Sequence, residues 1–183
     1  MNKIIVGALV GGIILFGWQA LSWTALGIHD DAFQYAPNQD TIIESLQKNL
    51  TVPGNYLIPM PAEGTSEEEK EAFRASREGK PWAIVTYHGY YKMDMLEPVL
   101  RGFLVAILCV LLLCFNIQQF QRIKMARVVL TALSYGLVSF LCISYNNHIW
   151  FSTPWTVIGG ELADSLIGWG LCGMWLGLWY ARK

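Results

Sequence analysis

Six residues near the expected outer ends of the apolar segments could form a polar pocket: His29, Asp30, Asp31, His148, Glu161 and Asp164. Glu161 and Asp164 stand out because they fall inside an apolar stretch, three residues apart and on one face of a helix. An acid in a membrane helix is costly unless it is neutralised, paired or wetted. Near a helix start it also gains from the helix dipole. Imidazole beside carboxylate suits a proton relay or a transition metal such as zinc, and His29, His148 and Glu161 are the candidate ligands. Their spacings match no metal motif, and nothing demands haem, which takes facing histidines at one depth. No cofactor is expected.

Other chemistry is thin. Glycine-rich phosphate loops and the HExxH, GxSxG and CxxC patterns are absent. Cys109, Cys114, Cys142 and Cys172 all fall in apolar stretches and read as small buried side chains rather than disulfide partners or ligands.

The elements that would position these groups follow from composition. Only 15% of the 183 residues are charged, against about 25% in soluble domains. The net charge of −1 offers no electrostatic case for nucleic acid. Four apolar stretches approach the roughly 20 residues needed to cross hydrocarbon: residues 1–28, 98–117, 128–146 and 156–180. The first is longer than a signal-peptide core of about 7–15 residues and lacks a clear Ala-x-Ala cleavage site, so it reads as a retained helix. The fold class is a mainly α membrane protein. It has four transmembrane helices and a small α+β extracytoplasmic cap, residues 29–97, between the first and second.

Charge sorting sets the orientation. Lys3, then Arg122, Lys124 and Arg127, then Arg182 and Lys183 flank the stretches without an acid among them, while residues 146–155 contain no Lys or Arg. The positive-inside rule then puts both termini and residues 118–127 in the cytoplasm. Residues 27–97, which hold twelve of the 14 acids, lie outside with residues 146–155. Trp18, Trp23, Trp150, Trp155, Trp179 and Tyr180 sit where an aromatic belt would.

The cap has its own signals. Asn38 or Asp40 can cap a helix with apolar Ile42, Ile43, Leu46 and Leu50, stopped by Pro53 and Gly54. Residues 55–60 read as extended. Ser66 with Glu69 predicts a capping box opening a helix that runs to about Glu78 and ends at Gly79, and residues 82–91 read as a strand.

Three of the membrane helices carry stripes at three- and four-residue steps. They are Gly7, Gly11, Leu15, Gln19 and Ser22; Thr131, Tyr135, Val138, Cys142 and Tyr145; and Glu161, Asp164, Ser165, Gly168 and Cys172. Gly7 with Gly11, and Gly173 with Gly177, are small-xxx-small pairs that let helices approach closely. The helix over residues 98–117 is apolar all round and reads as lipid-facing.

Trp18-x3-Ser22-Trp23, His29 and Gly54-x-Tyr56-x2-Pro59, with the four-span plan, resemble a class of uncharacterised bacterial inner-membrane proteins. The resemblance implies a multi-pass protein of the bacterial inner membrane and assigns no activity. The leading expectation is therefore a non-enzymatic accessory or assembly protein. It would pack against another membrane protein, or itself, through glycine and polar helix faces and its periplasmic cap. The alternatives are a membrane-surface enzyme or metal-binding protein with its site at the outer mouth of the bundle, and a small oligomeric transporter.

Overall fold

A computed structural model describes residues 2–181. Arg182 and Lys183, two of the basic residues that set the expected orientation, lie outside the described residues. The chain divides into a helical unit, Met1–Tyr35 with Asp94–Lys183, and an inserted unit, Ala36–Met93.

The helical unit opens with α1, Asn2–Thr24, in which glycines and aliphatic residues leave nothing to interrupt the backbone ladder. It ends as the Thr24 hydroxyl turns back to the Ala20 carbonyl and Gly27 takes a left-handed φ of 65°. A short 3-10 turn, Asp30–Ala32, follows. After the inserted unit, the Asp94 carboxylate accepts from the Leu96 backbone N–H and starts α4, Leu96–Gln118. Glu97 pairs with Arg101 one turn on, at 3.6 Å. α5, Met125–Ser139, runs through a π-helical stretch, Phe140–Tyr145, into α6, Asn146–Phe151, so that Met125–Phe151 is one continuous helix of 27 residues. α7, Trp155–Ala181, is also 27 residues long.

Among the described residues, three helices are long and apolar enough to cross a membrane: α1, α4 and Met125–Phe151. α7, read from sequence as the fourth span, does not meet that measure. Its length, about 40 Å at 1.5 Å per residue, is ample. Its glycines, tryptophans, Glu161 and Asp164 lower its hydropathy. Packing explains why it tolerates them: α7 lies against both α1 and α5, and α4 packs on α1, whose Gly7 and Gly11 meet α4 and α7 together. The core of the helical unit contains Leu15, Val110, Leu113, Cys114, Ala132, Cys172 and Leu176.

Four sequence expectations need correction. The outer loop expected over residues 146–155 is only residues 152–154, because Ile149, Trp150 and Phe151 continue the helix until Ser152 turns left-handed at φ 52°. α4 is not uniformly lipid-facing: Ala106, Val110, Leu113, Cys114 and Ile117 form a buried seam that its even apolarity concealed. On α5 the buried positions are Val128, Ala132 and Gly136, continued by Phe140, not the stripe that included Val138 and Cys142, which are exposed. Of the expected aromatic belt, Tyr180 is buried and Trp18 half-buried, so both point into the bundle rather than toward an interface.

The inserted unit contains α2, Gln39–Asn49; β1, Gly54–Ile58; α3, Glu67–Arg77; and β2, Ala83–Tyr87. The strands pair antiparallel with Tyr56 opposite Val85 and Leu57 opposite Ile84. None of residues 36–93 is buried.

α3 begins with the expected capping box. The Ser66 hydroxyl accepts from the Glu69 backbone N–H at 3.3 Å, and the Ser66 N–H donates to Glu69 Oε2 at 3.0 Å. The helix stops before Gly79, whose φ is 71°. The Ser66 backbone N–H, and then its hydroxyl, hold the Glu69 carboxyl below the ordinary glutamate pKa. A depressed folded-state pKa makes the cap fully stabilising above the ordinary glutamate value, and the contribution fades as pH falls through the lower folded value. The amide protection factors in the first turn of α3, corrected for the intrinsic slowing of exchange in acid, should therefore fall on acidification. Glu69→Gln should abolish that pH step.

Candidate functional site

The site lies on the face where α1 meets α7. Gly160, Asp164 and Gly168 recur every four residues on α7 and so share one face. A Cβ at Gly168 would lie 2.9 Å from Trp18 Cδ1 and 3.1 Å from Leu15 Cδ1. A Cβ at Gly160 would lie 2.7 Å from both Nδ1 and Cε1 of His29. The glycines thus form two notches, one admitting the Trp18 indole and the other the His29 imidazole, with a carboxylate between them.

Both rings donate to that carboxylate. Trp18 Nε1 donates to Asp164 Oδ1 at 3.0 Å, and His29 Nε2 meets Asp164 Oδ2 at 3.0 Å. A carboxylate only accepts, so the geometry places a proton on His29 Nε2. His29 is 6% exposed. Trp23 stacks on it, with ring centroids 3.9 Å apart and planes 6° from parallel. One indole therefore bonds the acid and the next aromatic covers the base. Each polar atom of the carboxylate is engaged, which offsets the desolvation penalty of a half-buried acid.

Of the six residues proposed for one pocket, the structure brings together His29 and Asp164. Asp30 and Asp31 are exposed in the 3-10 turn, and Asp30 Oδ2 sits close to Gly27. Glu161 is half-buried and makes no hydrogen bond or ion pair among the described residues. His148 belongs to a different cluster: its Nδ1–H donates to the Thr153 carbonyl at 2.7 Å, and its ring packs beside Tyr145 and Trp155. Among the described residues no three His, Cys, Asp or Glu side chains gather as a metal site requires, and His29, His148 and Glu161 do not form such a group.

Ser22, one turn beyond Trp18, is buried, and its hydroxyl has no hydrogen-bond partner. It does not hydrogen-bond His29, so the His29–Asp164 pair is not extended to a nucleophile. The arrangement is an interhelical tie that fixes the turn after α1 against α7. The sequence stripe contained Asp164 and Gly168 but missed Trp18 and Gly160. The Gly-x3-Asp-x3-Gly spacing was the available signal, because a helix face that places an acid between two notches needs bulky donors opposite.

The glycine pairs also face inward. A Cβ at Gly7 would meet Cys114 Sγ at 3.0 Å, and one at Gly11 would meet Val110 Cγ1 at 2.6 Å. Gly173 abuts Ala132 and Val129, and Gly177 abuts Met125. All four cysteines are free thiols.

The fold and the site define a mainly helical protein with, among the described residues, three helices long and apolar enough to cross a membrane and a histidine–carboxylate tie between the turn after α1 and α7. Comparison with protein-family models, curated proteins and solved structures finds no match.

Proposed function

We propose that the chain is an accessory or assembly protein of the bacterial inner membrane that engages another membrane protein, or a second copy of itself, through its inserted unit. In this reading α7 is a fourth span, both termini are cytoplasmic, and residues 36–93 are periplasmic. One contrast carries the reading. The helical unit closes its glycine faces upon itself, whereas the inserted unit has no buried residue at all.

A unit of this size, with two 11-residue helices and a two-stranded ribbon, is marginal without outside contacts. It leaves Ile42, Ile43, Leu57 and Ile84 exposed, the last two directly opposite each other on one sheet face. These favour a protein partner that supplies the missing core. The internal burial of the glycine pairs moves the expected contact away from the helix faces and onto this unit. The fourth span is supported by the length of α7 and by its polar groups, since Asp164 finds its partners inside the bundle. The orientation rests on the basic residues at Lys3 and between α4 and α5.

Cross-linking in native membranes, followed by purification in several mild detergents and mass analysis, tests the proposal. A partner cross-linked through residues 36–93 is the expected result. An uncross-linked monomer in every detergent would overturn it.

A further inference from the structure

The turn between α4 and α5, residues 119–124, lies at an end of the helical unit that carries no acidic side chain of its own. Residues 1–29 and 98–160 contain no Asp or Glu. The last acid of α7, Asp164, stands about 25 Å before the end of that helix at 1.5 Å per residue. At this end Gly177 abuts Met125, and Trp179 Nε1 donates to the Lys3 carbonyl at 3.1 Å, so the starts of α1 and α5 meet the end of α7. Arg122, Lys124 and Arg127 are all exposed here, and none forms an ion pair among the described residues.

The turn is held in place. Phe120 and Ile123 are half-buried and pack against the hydrophobic core, while Gln119, Gln121, Arg122 and Lys124 are exposed. The Arg127 guanidinium lies over the Phe120 ring, 5.5 Å from its centroid, which draws a cation of α5 back toward the turn. This placement is costly. Lys124 is the N-cap of α5 and supplies no side-chain cap, and the first turn of α5 contains no acid. Cations at a helix start oppose the helix dipole, and these three also repel one another. Nothing in the helical unit offsets that charge, whereas an anion from outside does.

The bilayer is a source of such an anion. α4 and Met125–Phe151 are each long and apolar enough to cross it, and a turn joining two spans sits at the membrane surface. Trp175 and Trp179 stack near the same end, 5.7 Å apart, as suits an interfacial depth. Guanidinium and ammonium groups are the donors that best match phosphate oxygens. A zwitterionic headgroup would bring its own ammonium into the same space, where three cations repel it. The charge therefore selects a headgroup with net negative charge.

We propose that residues 119–127 form a binding site for an anionic phospholipid headgroup, with Arg122, Lys124 and Arg127 as the charge partners of its phosphate. The occupant is bilayer lipid of the phosphatidylglycerol kind, not free phosphate. The site requires α4 and Met125–Phe151 to cross the bilayer. It does not require the inserted unit to have a partner.

Native mass spectrometry of the full chain in a neutral detergent tests the site, with phosphatidylglycerol and phosphatidylethanolamine of the same acyl chains added at equal concentration. Each basic group near an anionic lipid surface contributes a factor of about five. Phosphatidylglycerol should therefore bind at least about tenfold more tightly. Arg122→Gln and Lys124→Gln should each cut that ratio by about three- to fivefold, and the triple exchange with Arg127→Gln should bring it close to one. Exchanging Lys48, Arg74 and Lys80 of the inserted unit for Gln should leave it unchanged. A tenfold rise in ammonium acetate shortens the screening length about threefold and should shrink the ratio in the parent, a readout that needs no variant to fold. Equal binding of the two lipids by the parent would overturn the proposal, as would a ratio indifferent to salt. So would a preference untouched by the triple exchange, which would put the lipid elsewhere. Displacement of phosphatidylglycerol by equimolar inorganic phosphate would mean a free-anion site and would overturn it too. Circular dichroism of each variant confirms that the fold is retained.

Discussion

Asp164→Ala is expected to lower the stability of the helical unit by about 1–3 kcal/mol, while Asp164→Asn costs less. Interhelical side-chain hydrogen bonds in membrane proteins are worth about 0.6 kcal/mol on average and up to about 1.7. Asp164 accepts two, from Trp18 and His29, which sets the scale. Truncation also leaves both donors in the seam without an acceptor, and an orphaned buried donor costs about 1–3 kcal/mol, which favours the upper part of the range. Asparagine keeps an oxygen for Trp18 Nε1. Its amide can donate to His29 only if the imidazole proton moves to Nδ1, so the variant trades one tautomer for another instead of losing both bonds.

Unfolding of the purified protein in mixed detergent, followed by secondary structure, measures the effect. Trp18→Phe and His29→Gln, each combined with Asp164→Ala, should be markedly less than additive, because all three side chains form one network. An Asp164→Ala midpoint equal to that of the parent would show that the tie contributes nothing to the fold.

The inserted unit was the most legible part of the sequence. Its signals are local: the Ser66–Glu69 box, the Gly79 stop and the β-branched run around Val85 all depend on neighbours a few residues away. The membrane helices were legible as apolar runs but not in their facing. On α5 the expected stripe followed polar residues, as it would in a soluble protein with the polarity reversed. Thr131 and Ser134, however, satisfy their hydroxyls on the carbonyls of Arg127 and Leu130 within their own helix, so they need no interhelical partner. Asn116 and Tyr135 do hydrogen-bond across helices, yet both remain outside the buried set. Small residues marked the seam, because close approach is the main source of packing attraction where lipid is as apolar as leucine.

The same reasoning explains α7. Hydropathy scores every residue of a helix as if it faced lipid. α7 instead meets α1 on one side and α5 on another, so its glycines are approach points and its acid at 164 a hydrogen-bonded one. The candidate pocket was over-collected for a related reason. Topology can place His29, His148 and Glu161 at one end of a bundle, but it cannot place them around one point. His148 is held by Thr153 in the short turn before α7. His29 is drawn to Asp164 through the notch at Gly160.

Gly136→Ala is expected to be the most damaging of the small-to-large changes in the bundle. A methyl group there would fall inside the van der Waals envelope of the Ser165 carbonyl oxygen and 2.7 Å from Trp169 Cδ1. The oxygen belongs to the backbone of α7 and cannot rotate aside, so α5 and α7 must separate. Overpacking of this kind costs about 1–3 kcal/mol and more when no side chain can yield. Gly7→Ala should cost less, because its neighbours are the thiol of Cys114 at 3.0 Å and the hydroxyl of Tyr180 at 3.4 Å, both at the ends of movable side chains. Gly17, with nothing within 4 Å, should behave oppositely. Its replacement by alanine removes backbone freedom from the unfolded chain and gains about 0.5–1 kcal/mol. The three variants, compared by detergent unfolding, separate close approach from helix propensity. If propensity dominated, all three would be stabilised alike. If the α5–α7 approach is as tight as Gly136 requires, the order runs Gly17→Ala above the parent, Gly7→Ala below it and Gly136→Ala lowest.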